Sequence, residues 1–99
     1  MASVNKILIS GTVESDPKLN EFGQCKFKFK NIKKIGDEKE AITAVIIAVS
    51  GKNAEICAQS LKVGTRIYLE GRIRNKKKDT ADGQAVYYTE IEVYEIEKI

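Results

Sequence analysis

The residues with the clearest chemical potential in this chain are cations at regular spacing. In QCKFKFKN, residues 24–31, Lys26, Lys28 and Lys30 alternate with Cys25, Phe27 and Phe29. An extended backbone therefore turns three ammonium groups to one side and three apolar groups to the other. Lys33 and Lys34 continue the basic run, Lys18 precedes it, and Arg72, Arg74, Lys76, Lys77 and Lys78 form a second basic group. Rows of Lys and Arg bind polyphosphate chains through counterion release. Tyr68 and Tyr88, close to the second group in sequence, offer rings on which bases can stack. The chemistry expected of this set is the holding of a nucleic-acid strand.

Bond-making chemistry has little to work with. The chain contains no His, and its two cysteines, Cys25 and Cys57, form no Cys-x-x-Cys pair. Both lie among apolar residues and read as small buried hydrophobes, not as metal ligands or nucleophiles. The carboxylates are strung along strand faces and one acidic end, and no serine occupies a nucleophile setting. A non-enzymatic protein without cofactor or metal is expected.

Composition agrees with a small globular domain. The chain has 99 residues, 42% hydrophobic and 31% charged, with one Pro, which suits one domain over 1–99 and excludes a disordered polymer. Net charge is only +3, so its distribution matters more than its sum. Lys6, Lys18, Lys26, Lys28, Lys30, Lys33 and Lys34 stand against Glu14, Asp16 and Glu21, whereas Glu90, Glu92, Glu95 and Glu97 make the chain's end acidic. Separate basic and acidic faces are expected. No apolar run is long enough to span a membrane and no signal segment is evident, which points to the cytoplasm.

The elements that position these residues are mostly strands. In VNKILISGTV, Ile7, Ile9, Gly11 and Val13 share one face and Lys6, Leu8, Ser10 and Thr12 the other. ESDPKLNEFG reads as a loop carrying Lys18, and QCKFKFKN as the second strand. A tip containing KKIGDEKE leads into the apolar third strand, Ala41–Val49. The period then changes: Ala54, Cys57, Ala58 and Leu61 recur at helical spacing, with Gly64 as the stop. The fourth strand, TRIYLEGRIR, points Ile67, Leu69, Gly71 and Ile73 inward and Arg66, Tyr68, Glu70, Arg72 and Arg74 outward. The loop NKKKDTADGQ, with Lys76, Lys77 and Lys78, precedes the fifth strand, AVYYTEIEVYEIE.

Three strands, one short helix and two strands predict an all-β, five-stranded OB-fold barrel with the helix between strands 3 and 4. That fold binds oligonucleotides on its second and third strands and on the loops joining strands 1 to 2 and 4 to 5. Gly11 and Gly71, inside the first and fourth strands, fit the bends of a small barrel.

Several strings carry a resemblance. NKILISGTV, VSGKNAEICAQSLKVGTRIYLEGRI and YYTEIEV, covering most of the chain, resemble the bacterial single-stranded DNA-binding protein family. Within it, ILISGTV, QCKFKF and the spacing of VSG, VGTRI and EG are similar to the primosomal replication protein B group, dimeric factors that restart stalled replication forks. The resemblance implies single-stranded DNA as partner, a homodimer, and contact with a restart helicase or helicase loader. It also places Ala44, Ser50 and Lys78 where ordinary members carry stacking rings, and Ile42 near the place of the restart group's tryptophan. The family's acidic C-terminal tail has no counterpart in this sequence, which fits the restart group.

The expected DNA-binding residues are therefore Lys18, Lys26, Lys28, Lys30, Lys33, Lys34, Tyr68, Arg72, Arg74, Lys76, Lys77, Lys78 and Tyr88. With few rings available, phosphate contacts carry most of the affinity and sequence preference is slight. The first strand, with Leu8 on its second face, is expected to be an edge strand through which copies dimerise. Two other readings stay open: a general single-stranded DNA-binding protein, and an OB-fold adaptor that binds only protein.

Overall fold

A computed structural model of the protein describes residues 3–99. In chain order it contains β1 (Ile7–Val13), a two-residue β2 (Lys18–Leu19), β3 (Gln24–Lys34), β4 (Glu40–Ser50), α1 (Lys52–Ser60), β5 (Arg66–Asp79) and β6 (Ala85–Lys98). The long strands follow the order β1–β5–β6–β4–β3, and Thr12 and Val13 of β1 pair with Lys30 and Phe29 of β3 to close the ring. All neighbours are antiparallel except β4 and β6, which run parallel from Ile46↔Glu90 to Val49↔Val93. This is the expected five-stranded OB barrel. The extra β2 lies inside the stretch read as a loop, where it pairs Lys18 with Lys26 and Leu19 with Cys25.

The period-2 pattern builds the core as expected. Val13, Phe27, Phe29, Ile47, Val49, Ile67, Leu69, Ile91 and Val93 meet inside the barrel, each large side chain contributing about 1.5–3 kcal/mol by leaving water. Helix α1 packs on β2, β3 and β4 and buries Ala54 and Cys57. Cys25 and Cys57 are free thiols in this interior. Burial pushes both up, Cys57 to about 11, with Cys25 adding to the effect on Cys57, so neither is a ready nucleophile.

Two glycines permit the ring to close. A β-carbon on Gly11 would run into the Lys30 carbonyl oxygen and the Phe29 ring, and one on Gly71 would run into the Glu92 carbonyl oxygen. At Gly71 the β5–β6 register also shifts, from Glu70↔Glu95 to Gly71↔Val93. A bulge beside a close backbone approach is how a small sheet turns a corner.

The structure corrects four expectations. The helix ends at Ser60, and Leu61 is extended, with its N–H donating to the Cys57 carbonyl. Gly64 serves the following turn, where its N–H donates to the Val13 carbonyl at 2.8 Å. Lys76, Lys77 and Lys78 are not in a loop: they lie on β5 and pair with Tyr88, Tyr87 and Val86 of β6. The loop shrinks to the turn around 80–84, closed by Thr80 N–H to the Gln84 carbonyl at 2.8 Å. A lysine run has weak strand preference, but its β-favouring partners on β6 override it.

Ile73 was expected inside, yet is 45% exposed. Pairing with β1 stops at Gly71, and the Asn5 side chain, bonded to both the Ile73 N–H and carbonyl, caps that edge. Finally, β1 is an edge strand over only part of its length. It pairs with β5 over Ile7–Thr12 and with β3 at Thr12 and Val13, leaving one side of Ile7–Gly11 without a ladder.

Candidate nucleic-acid interface

Side chains on the outer face of the sheet are ordered by the strand register. One row across β3, β4, β6 and β5 reads Lys28, Ile46, Glu90, Arg74, and the next reads Lys26, Ala48, Glu92, Arg72. Lys30 beside Ala44 and Lys76 beside Tyr88 extend the same surface. Beyond Ile46↔Glu90 strands β4 and β6 no longer pair, so the β3–β4 and β5–β6 hairpins diverge.

Two open grooves lie where the hairpins part. One, of about 360 Å³, is bordered by Glu14, Lys28, Lys30, Ala44, Ile46 and Thr89. The other, of about 500 Å³, is bordered by Ser15, Lys26, Lys28, Ile46, Lys78 and Tyr88. They share Lys28 and Ile46. Residues distant in sequence, Lys26 and Lys28 from one hairpin and Lys78 and Tyr88 from the other, thus border one depression.

The cations are not equally available. Lys26 Nζ is 3.2 Å from Glu90 Oε2 and Lys76 Nζ is 3.8 Å from Glu90 Oε1. Arg74 Nη1 donates to Glu92 Oε2 at 2.6 Å and Arg72 Nη2 at 3.3 Å. The Arg74 hydrogen bond, aided by Arg72, holds the Glu92 carboxyl below the ordinary carboxylate range, and the same bond raises the Arg74 guanidinium. Lys30 lies 3.5 Å from Glu14, and Lys77 3.9 Å from the exposed Asp79. Among the described residues, Lys18, Lys28, Lys33, Lys34 and Lys78 of the expected set have no carboxylate partner. Of these, Lys28 and Lys78 border the groove, Lys18 sits on β2, and Lys33 and Lys34 lie at the far end of β3.

Tyr88 is half-buried in the groove, whereas Tyr68 is elsewhere. Tyr68 pairs with Ser10 and Glu97, next to the cross-strand pair Glu70↔Glu95. Glu95 is raised by hydrogen bonding to Glu70 and by its charge, so Tyr68 faces an acidic strip.

Glu90 is the residue the sequence reading missed. The sequence places it in an acidic end, yet it is 1% exposed at the centre of the cationic face. The alternation of Glu90 and Glu92 opposite Arg74 and Arg72 was a usable hairpin signal. The burial was not legible, because it comes from the parallel β4–β6 contact and from Lys26 on a third strand.

Fold and surface together define an OB barrel with a cationic sheet face and an open groove between two hairpins, the arrangement that takes extended polymers. Residues 4–99 match the single-strand binding protein family, and the chain belongs to that family. In structure it is similar to a Plasmodium falciparum SSB solved in complex with ssDNA, with a TM-score of 0.85 and 22% identity over 100% of this chain and 97% of that one. It is also similar to a small single-stranded DNA-binding protein from Streptomyces coelicolor, with a TM-score of 0.78 and 18% identity over 100% of this chain and 96% of that one. At these identities the likeness concerns the fold. Among the described residues, no helix is long and apolar enough to cross a membrane.

Proposed function

We propose that the protein binds single-stranded DNA without catalysing a reaction on it, laying the strand across the groove between the two hairpins. The observation that carries this reading is the convergence of Lys28, Lys78 and the Tyr88 ring on one open depression of a cationic sheet face. Membership of the single-strand binding protein family supports it, as does the shared fold with an SSB solved in complex with ssDNA. Phosphates meet the ammonium groups and one base meets Tyr88. Because phosphate contacts carry no base information, binding is nearly sequence-independent.

Fluorescence anisotropy with a labelled oligo-dT is the direct test. Saturable binding at low salt that weakens as salt rises is expected. Its absence at low salt sinks the DNA reading in favour of a protein-binding adaptor.

The finer part of the proposal is a role in replication restart as a homodimer that hands DNA to a helicase or loader. It is supported by the strings shared with the restart group and by Ala44, Ser50 and Lys78 in place of rings. The dimer would form along the Ile7–Gly11 side of β1, which lacks a ladder, with the 56% exposed Leu8 beside it. Sedimentation at tens of micromolar should give twice the 11.0 kDa chain mass, and a monomer would remove the dimer.

A further inference from the structure

Four cations of the sheet face are already held by two carboxylates of the same face: Lys26 and Lys76 by Glu90, and Arg72 and Arg74 by Glu92. We propose that Glu90 and Glu92 limit how tightly the protein holds a DNA strand, so that the strand is readily released. Each carboxylate with its two cations presents one net positive charge to the DNA instead of two. The proposal rests on the single-stranded DNA reading above.

The geometry makes this more than a surface ion-pair effect, which is usually weak. Glu90 is 1% exposed, and its Oε2 is buried with no hydrogen-bond partner, Lys26 being close at 3.2 Å but not aligned. A carboxylate so enclosed depends on both lysines for its charge balance. Drawing them to phosphate would leave a bare buried anion, which is strongly unfavourable. Lys26 and Lys76 therefore stay over Glu90 when DNA arrives. Glu92 holds its arginines by direct hydrogen bonds with its side chain 27% exposed, so those guanidinium groups are oriented toward a carboxylate as well. Neighbouring Lys28 and Lys78 carry no such restraint and face the groove.

Replacing a carboxylate with its amide keeps the shape and frees one net charge. The test measures oligo-dT anisotropy from 50 mM to 1 M salt for the wild-type chain, Glu90→Gln, Glu92→Gln and the double variant. Each single variant should steepen the slope of log K against log salt by about 0.7 and bind about eightfold tighter at 50 mM, with the lines meeting near 1 M. The double variant should gain about sixtyfold at 50 mM on the same basis. Circular dichroism and a urea midpoint check folding, and if Glu90→Gln fails to fold, the more exposed Glu92→Gln decides. Wild-type binding with an unchanged slope, or weaker binding by a folded Glu92→Gln, overturns the proposal. A wild-type chain that does not bind at 50 mM overturns the DNA reading itself.

Discussion

Gly11 of β1 faces the carbonyl oxygen of Lys30 on β3 so closely that a β-carbon at position 11 would overlap it. This contact lies where Thr12 and Val13 close the barrel onto β3. Gly11→Ala must push β1 and β3 apart or displace the buried Phe29 ring, at about 1–3 kcal/mol. Gly71→Ala should cost a similar amount through the Glu92 carbonyl. Urea unfolding checks both, and a midpoint within error of the wild-type chain would show that the ring closes more loosely.

Lys26 and Lys28 share one strand face, but their loss should be felt differently. Lys28 has no carboxylate partner, so Lys28→Ala should leave stability within about 0.5 kcal/mol. It should also reduce the salt slope of oligo-dT binding by about 0.7. Lys26→Ala leaves Glu90 with Lys76 alone, 3.8 Å away, and should cost about 2 kcal/mol, less than the 3–5 expected when a buried charge loses every partner. Equal stability of the two variants would mean Glu90 does not depend on Lys26.

How much of this was readable in sequence follows from range. Alternation in QCKFKFKN is a local property, and it placed Phe27 and Phe29 inside and Lys26, Lys28 and Lys30 outside, as the structure has them. The sequence alone puts Lys76–Lys78 in a loop, because strand formation there depends on Tyr88, Tyr87 and Val86 across the hairpin. The acidic surroundings of Tyr68 and the burial of Glu90 depend on which strands become neighbours. Residue periodicity fixes a face but not the strand beside it.

Tyr68 and Tyr88 are both stacking candidates in sequence, and the fold separates them. Tyr88 borders the groove with Lys28 and Lys78, while Tyr68 lies next to Glu97. Tyr88→Leu should cost about 1–3 kcal/mol of binding, the range for one stacked base. Tyr68→Leu should leave oligo-dT affinity unchanged within error. The reverse outcome in the same titration would move the binding surface to the β1–β5 side.

Two carboxylates should give stability opposite responses to pH. Glu92 is held below its ordinary value of 4.5 by Arg74 and Arg72. Its contribution is therefore full above the unfolded value and disappears as pH falls through the folded one. Glu95 is raised above 4.5 by Glu70, so its protonated form favours the fold at low pH and that contribution is lost as pH rises through the raised value. Glu95→Gln should raise the urea midpoint at pH 7 and leave it unchanged at pH 3. Glu92→Gln should lower it at pH 7, and the difference should shrink as pH falls through the lowered value. A Glu95→Gln midpoint that falls at pH 7 would contradict the repulsion between Glu70 and Glu95.

The salt dependence of binding measures how many cations are free to meet phosphate. Counting every basic residue of the face would predict a very steep slope, yet the carboxylates remove part of it. Lys28 and Lys78 border the groove without partners, and the clusters on Glu90 and Glu92 each leave one net charge. Four effective contacts at about 0.7 each give a slope near −3 for a single strand. Affinity should then fall about fiftyfold between 50 and 200 mM salt, and little should remain near 1 M. A slope shallower than about −1, together with a large loss in Tyr88→Leu, would assign the affinity to stacking. A slope near −4 would mean that Lys26, Lys76, Arg72 and Arg74 all leave their carboxylates for phosphate. The measured slope thus separates a surface whose charges are partly neutralised in place from one that rearranges on binding.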